Sequence, residues 1–443
     1  MLEEYKYKKP SVFHNIGYIP SHWKETRFKY RYKEVDNRSQ SGNEEMLSVS
    51  HITGVTPRRF KNVNMFKAES NIGQKLCEPA DVVVNTMWAW MAALGVSDYA
   101  GIVSPSYGVY RPMCKLTYNP KYLDHLLRIE SYRVQYVKNS TGITSSRLRL
   151  YPDKFLNLKF ICPPREEQDQ IVRYLDWKMS QINKLINAKR QQIVLLEEKK
   201  ITTISHVVTS GGDGWRDMRL GNLGSFRKGF GGSRADDDDD GVACIRYGDI
   251  YRSGSLLLKH PISRVNIQFA NAYSRIHKSE VLFALSGETK AEIGQALMNN
   301  ISEDSWCSGD TAIFTAGDEI LPMFLVYALR CPHVVKQRAS LAKGDIIVHI
   351  STGALRQLRI YVPPIEYQRE IVERLNYQCG NIEKIKARLY NEITLLNEFH
   401  TLLNSDVITG KKDIRDVVVP EYGAVVRDFD VMNEMFEDNE YEE

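Results

Sequence analysis

Long apolar runs are missing from this 443-residue sequence. No stretch approaches the ~20 residues that a helix needs to cross a bilayer. The first nine residues are charged and aromatic with no apolar core, so no secretory signal is expected. Cysteine is sparse: seven residues (77, 114, 162, 244, 307, 331 and 379), odd in number and without a CxxC pair. That scatter argues against a disulfide framework and a structural zinc, and suits reduced thiols in a cytoplasm.

The tools of an enzyme acting on nucleic acid are missing too. An adenine methyltransferase holds its flipped base with an Asn/Asp-Pro-Pro-aromatic loop. Here the only double prolines precede Arg165 and Ile365. No GxGxxG follows a strand-like run, and neither a GxxxxGK[ST] phosphate loop nor an HExxH helix occurs. The glycines of 228–233 (KGFGGS) read as a flexible loop. Glu288 and Lys290 match the ExK spacing of some nucleases, but without a spaced partner Asp the match is close to chance. The five aspartates 236–240 lack the interspersed Gly and terminal Glu of an EF-hand and read as a solvated loop. No catalytic residue and no metal ligand is assigned, and no cofactor is expected on this chain.

What is present is a repeat. Residues 163–209 and 363–409 align without a gap at an offset of 200, with 16 identities in 47 positions. They share Pro163/Pro363, Gln168/Gln368, Ile171/Ile371 and Thr209/Thr409, and each follows an alternating run that reads as a strand. Upstream, 22–30 (HWKETRFKY) loosely echoes 214–222 (GWRDMRLGN). Each copy predicts a long helix that starts at a double proline, has acidic residues in its first turn and ends at Gly211 or Gly410.

In the first helix Val172, Met179, Ile186 and Ile193 share one heptad position, and Leu175, Ile182 and Leu196 the other. In the second, Val372, Cys379 and Ile393 face Leu375, Ile382, Leu389 and Leu396. Such seams indicate a coiled coil, with Lys189 and Lys386 as polar breaks that can fix register. The simplest packing sets the two helices against each other, antiparallel; each could instead pack on its own domain.

The expected fold class is α+β: two mixed α/β domains joined by two long antiparallel coiled-coil helices in a pseudo-twofold repeat. The expected segments are a first reader over 1–160, a helix over 161–211 and a second reader over 212–362. A second helix over 363–411 and an acidic tail over 412–443 complete the chain. The net charge of +4 conceals +10 on 1–162 and −8 on 421–443, so a basic body meets an acidic end. A basic body suggests a polyanion partner.

Candidate DNA-binding residues are cations beside polar and aromatic groups, the types that hold phosphates and read guanine edges. In the first region these are Arg58, Arg59 and Lys61 around Phe60, then Tyr107 and Arg111. In the second they are Arg227, Lys228, Ser233, Arg234, Arg246, Tyr247, Lys290 and Lys343. Trp88 and Trp90 read as core.

The architecture resembles the specificity subunit of type I restriction–modification systems, over nearly the whole chain. The resemblance rests on the duplicated strand-Pro-Pro-x-x-x-Gln helix start, on 16–23 (IGYIPSHW), on 83–112 and on 244–251 (CIRYGDIY). It implies two target-recognition domains that each read half of a bipartite, asymmetric site on double-stranded DNA. It also implies a helical ruler between half-sites and docking of two modification subunits and two restriction subunits. S-adenosylmethionine, ATP and Mg²⁺ belong to those partners, and the setting is a bacterial or archaeal cytoplasm. Two alternatives stay open: a fused nuclease or methyltransferase with unrecognised motifs, and a coiled-coil adaptor that binds protein only. The apolar residues within the acidic tail suggest that it packs on a partner or on the basic N-terminus.

Overall fold

The computed structural model describes residues 2–60, 70–115, 117–142 and 148–422. The chain packs as two units: unit 1 is residues 1–189 with 391–443, and unit 2 is residues 190–390. The two long helices, Arg165–Val208 and Ile365–Ile408, are 44 residues each, and each contributes one half to either unit. Packing therefore cuts each helix in two instead of separating helices from variable regions. Most of the acidic tail, 423–443, lies outside the described residues.

Unit 1 is built on a four-stranded antiparallel sheet in the order Tyr32–Glu34, Gly108–Pro112, Val82–Val84, Leu94–Val96. The three valines at its centre are fully buried, which a β-branched run tolerates when both faces are covered. One side is an aromatic core in which Phe28 stacks on Tyr32 at 4.2 Å and Tyr132 on Phe160 at 4.9 Å. Unit 2 carries a five-stranded sheet ordered Gly224–Lys228, Thr311–Ala316, Val281–Ala284, Ala296–Asn299, Leu257–Leu258. A second sheet is ordered Ser263–Val265, Asp237–Ile245, Ser305–Cys307, Ser274–Ile276. Both sheets of unit 2 mix antiparallel and parallel pairs, so the fold is mixed α/β.

Each long helix is tied to its unit in the same way. The strand before each double proline, Lys159–Cys162 or Arg359–Val362, pairs antiparallel with Lys24–Arg27 or Arg216–Arg219. One turn into the helix stands a fully buried glutamine. The Gln168 oxygen accepts from the Asn119 amide at 2.7 Å, and its nitrogen donates to the carbonyls of Thr117 (3.1 Å) and Pro163 (2.9 Å). Gln368 accepts from Leu321 (2.8 Å) and donates to Glu319 (2.8 Å) and Pro363 (2.9 Å). In both units the amide so held belongs to the residue before a proline that opens a helix, Pro120–Arg128 or Pro322–Ala328.

The seam residues are buried or half-buried. Leu175, Ile186 and Leu375 are fully enclosed, and Leu196, Val372 and Leu396 are the most open. Leu375 and Cys379 share one core cluster with Ile204, Val207 and the unit 2 sheet, so part of the seam packs on its own domain. Both polar breaks meet carboxylates. Lys189 pairs with Glu392 in unit 1, while Lys386 pairs with Glu197 and Lys200 with Glu383 in unit 2. Burial opposes the charge on Lys386, but its bond to Glu197 outweighs this and holds its pKa above the ordinary lysine value. Burial likewise disfavours the Glu197 anion, yet Lys386 and Lys200 hold that carboxyl below its ordinary range.

Unit 1 closes on a different device, because its parts are distant in sequence. Glu167, almost fully buried, accepts from the Tyr5 hydroxyl (3.3 Å) and the Trp23 indole and faces His22 (3.0 Å). Arg415 approaches it at 3.6 Å, and the Asp413 amide donates to the Glu3 carbonyl at 2.8 Å. Gly410 ends the second long helix with φ +72°, where a Cβ would stand 2.4 Å from Pro20. Only glycine fits there.

Two outcomes test this account. Replacing Gln368 with leucine leaves three backbone groups unpaired, and unfolding free energy falls by about 3 kcal/mol in a urea titration. Reversing Lys386 to Glu lowers the melting midpoint at pH 7. The double variant Lys386→Glu/Glu197→Lys recovers a coupling of about 0.5–1 kcal/mol. That coupling fades as pH falls through the depressed Glu197 value, because the native anion is then protonated.

Candidate nucleic-acid interface

The selected cations divide by what they already touch. In unit 1 Arg111 is committed to the fold. Its guanidinium donates twice to Asp81 (3.0 and 2.8 Å), whose carboxylate is 1% exposed, and pairs with Glu78 at 2.8 Å. The bond to Asp81 raises the pKa of Arg111 further. Arg58 and Arg59 lie on the short 3-10 turn Arg58–Phe60, where Arg59 pairs with Glu45 and covers the Phe60 ring at 5.0 Å. Lys61 lies outside the described residues. Tyr107 is half-buried: its hydroxyl accepts from Asn85 (3.2 Å), its carbonyl accepts from buried Lys75 (2.9 Å), and burial pushes its pKa up.

In unit 2 Arg227 donates to both oxygens of buried Glu280 (3.1 and 2.8 Å) yet keeps 41% of its side chain exposed. Lys228 and Arg234 are exposed, and Lys343 is exposed on a hairpin. Lys290, half-exposed, stands 3.5 Å from Asp345. The Ser233 hydroxyl caps a short turn by accepting from the Ala235 amide, and its carbonyl accepts from Arg246 (2.9 Å). Tyr247 opens the helix Tyr247–Arg252 and is 39% exposed.

Several sequence expectations need correction. The aspartates 236–240 are no free loop: four of them belong to the strand Asp237–Ile245. Asp236 accepts from the Tyr273 hydroxyl (2.8 Å), Asp237 pairs with Arg246, and Asp238 accepts from Asn266 (2.9 Å). The run thus engages three carboxylates within the fold and takes Arg246 with it, while Asp237, Asp239 and Asp240 remain exposed. Residues 228–233 are held, not loose: the Gly229 amide donates to Thr311, and the Gly231 carbonyl accepts from Gly309 at 2.7 Å. After Ile245 the CIRYGDIY stretch turns helical, because Asp249 accepts from the Arg246 amide at 2.8 Å and caps the turn.

Trp88 is 48% exposed, not core, while Trp90 is half-buried and bonded to the Met87 carbonyl at 3.1 Å. Sequence reasoning also passed over Ile346, 91% exposed at the tip of a hairpin. The Lys-Gly-Asp before it was the available turn signal. Among the described residues no cluster of three His, Cys, Asp or Glu can hold a metal, and no helix is long and apolar enough to cross a membrane.

The division of cations is testable by stability. Arg111→Ala strands a buried carboxylate and costs about 3 kcal/mol. Lys228→Ala stays within about 0.5 kcal/mol, both by urea unfolding.

Comparison with known proteins sets these residues in context. The type I restriction modification DNA specificity domain matches residues 212–395. The type I restriction enzyme MjaVIII specificity subunit of Methanocaldococcus jannaschii is 23% identical over 63% of this chain and 69% of its own length. The putative type I restriction enzyme MjaX specificity subunit of the same organism is 24% identical over 61% of this chain and 66% of its own. A solved structure described as the basis of complex assembly and conformational transition of the type I R-M system superposes with a TM-score of 0.66. It shares 17% identity over 89% of this chain and 99% of that one, a likeness of fold. The domain match and both relatives agree in kind: the matched domain is a type I restriction modification DNA specificity domain, and both relatives are named as type I restriction enzyme specificity subunits.

Proposed function

We propose that this chain reads a bipartite, asymmetric DNA site for a type I restriction–modification complex, one half-site per unit. The observation that carries this reading is the equivalence of the units. Four strands in each follow one order: Tyr32–Glu34, Gly108–Pro112, Val82–Val84, Leu94–Val96 in unit 1, and Gly224–Lys228, Thr311–Ala316, Val281–Ala284, Ala296–Asn299 in unit 2. Each unit is joined to its helix by the same glutamine. Two similar frames with dissimilar surfaces suit two readers of different sequences.

In this reading the long helices pair as an antiparallel coiled coil and set the length of unread DNA between half-sites. The cross-helix pairs support this: the partner number falls as the residue number rises, from Lys189–Glu392 to Glu197–Lys386 and Lys200–Glu383. The helices also dock two modification subunits, which two restriction subunits join. S-adenosylmethionine, ATP and Mg²⁺ act on those partners, and this chain binds none of them. Exposed Lys228, Arg234, Lys290 and Lys343 are the phosphate and base contacts of unit 2.

Methylome sequencing of cells expressing the complex tests the proposal. It should reveal one methylated bipartite motif, and exchanging residues 212–362 for another specificity domain should change only one of its halves. A motif altered in both halves, or left unchanged, overturns the assignment of one half-site per unit. Binding of the complex to duplex DNA should also weaken steeply with salt, as phosphate contacts require.

A further inference from the structure

The hairpin at residues 343–349 presents a large aliphatic side chain to water on a rigid base. Its ends are joined by two backbone bonds between Lys343 and His349 (2.9 and 2.8 Å). Val348 and Ile350 are buried, and Gly287 and Ser286 pair with Val348 and His349. The Ser286 hydroxyl meets the His349 ring at 2.9 Å. Gly344 sits at φ +101°, where a Cβ would lie 2.2 Å from the Ile347 carbonyl, so the turn admits only glycine. At the tip Ile346 is 91% exposed and Ile347 59%.

The surroundings indicate what such a tip meets. Lys343 is exposed at the foot of the hairpin, and Lys290 on the neighbouring loop lies 3.5 Å from Asp345. A protein interface needs a contiguous apolar centre, which two side chains ringed by charge do not supply. Proteins that deform DNA use a different device: single apolar side chains, flanked by cations, pushed between base pairs. The hairpin also lies inside the stretch matched by the DNA specificity domain.

Unit 1 has a counterpart of the neighbouring loop, with an exposed aromatic on it. In unit 2 the Ile350 amide bonds Leu285 at the root of the loop carrying Lys290; in unit 1 the Leu150 amide bonds Thr86 at the root of the loop carrying Trp88. Both loops connect the same two strands of their sheets, and Trp88 is 48% exposed. Trp88 therefore stands on the loop that corresponds to the one carrying Lys290, not on a counterpart of the 343–349 hairpin.

We propose that Ile346 is a wedge that enters the base stack of the half-site read by unit 2, opening the step beside the base to be modified. This rests on the DNA-reading function above. A wedge of this kind makes specificity depend on how readily a base step unstacks, at positions that form no hydrogen bond with the protein.

The test uses the full chain in complex with its modification subunits and a duplex carrying the motif found by methylome sequencing. 2-Aminopurine, whose fluorescence rises on unstacking, replaces one base at a time in the unit 2 half-site. The unaltered complex should raise the signal several-fold at one step. Ile346→Ser should abolish that rise and weaken binding to this duplex at least tenfold. Its affinity for an unrelated duplex, its salt slope and its melting midpoint should not change, because the side chain is almost fully exposed. Ile346→Leu should keep the signal.

An unchanged signal and affinity in Ile346→Ser overturns the wedge. So does loss of the modification subunits on gel filtration with the fluorescence retained, which makes the tip a protein contact. Failure of the unaltered complex to prefer the motif over unrelated DNA overturns the DNA-reading function itself.

Discussion

In each unit one buried amide side chain in the first turn of a long helix ties that helix to the segment leading into another. Gln168 and Gln368 each satisfy three backbone groups, on the strand that precedes the helix and on the segment that leads into another. A glutamine has both donors and an acceptor in one plane, so it can bridge two chain segments that have no ladder between them. Glutamate would bring a charge into a dry site, and leucine would leave the amide and carbonyls unpaired.

The two long helices were legible in sequence because a proline start and a glycine stop act locally. The core of the sheets was partly legible: 81–87 (DVVVNTM) contains the central strand Val82–Val84 of unit 1. The surface was less so. Arg111 and Lys228 look alike in sequence, and only the fold shows that one faces a buried carboxylate and the other water. The aspartate run likewise depends on Tyr273 and Asn266, which are distant in sequence and give no local sign of being its partners.

Charge in this protein therefore does two jobs with the same residue types. Arginines paired to carboxylates of low exposure hold strands together: Arg111 meets Asp81 through two nitrogens in the fork that planar guanidinium favours, while one nitrogen of Arg227 donates to both oxygens of Glu280. The lysines at 228 and 343 stay in water, as compact hydrated cations without a carboxylate partner among the described residues.

The division of each long helix between units has a consequence for synthesis. Unit 2 is one uninterrupted stretch, 190–390, and every residue of it has been made before the chain reaches 391. Unit 1 is not: the Tyr122 hydroxyl waits for the Ile408 carbonyl, Gln170 for the carbonyls of 414 and 417, and Glu167 for Arg415. At about 5–20 residues per second, unit 1 waits on the order of 10–40 seconds for its closing segment after residue 189 has been added, and by then unit 2 is fully synthesised. The slow, exposed stage of maturation therefore belongs to unit 1.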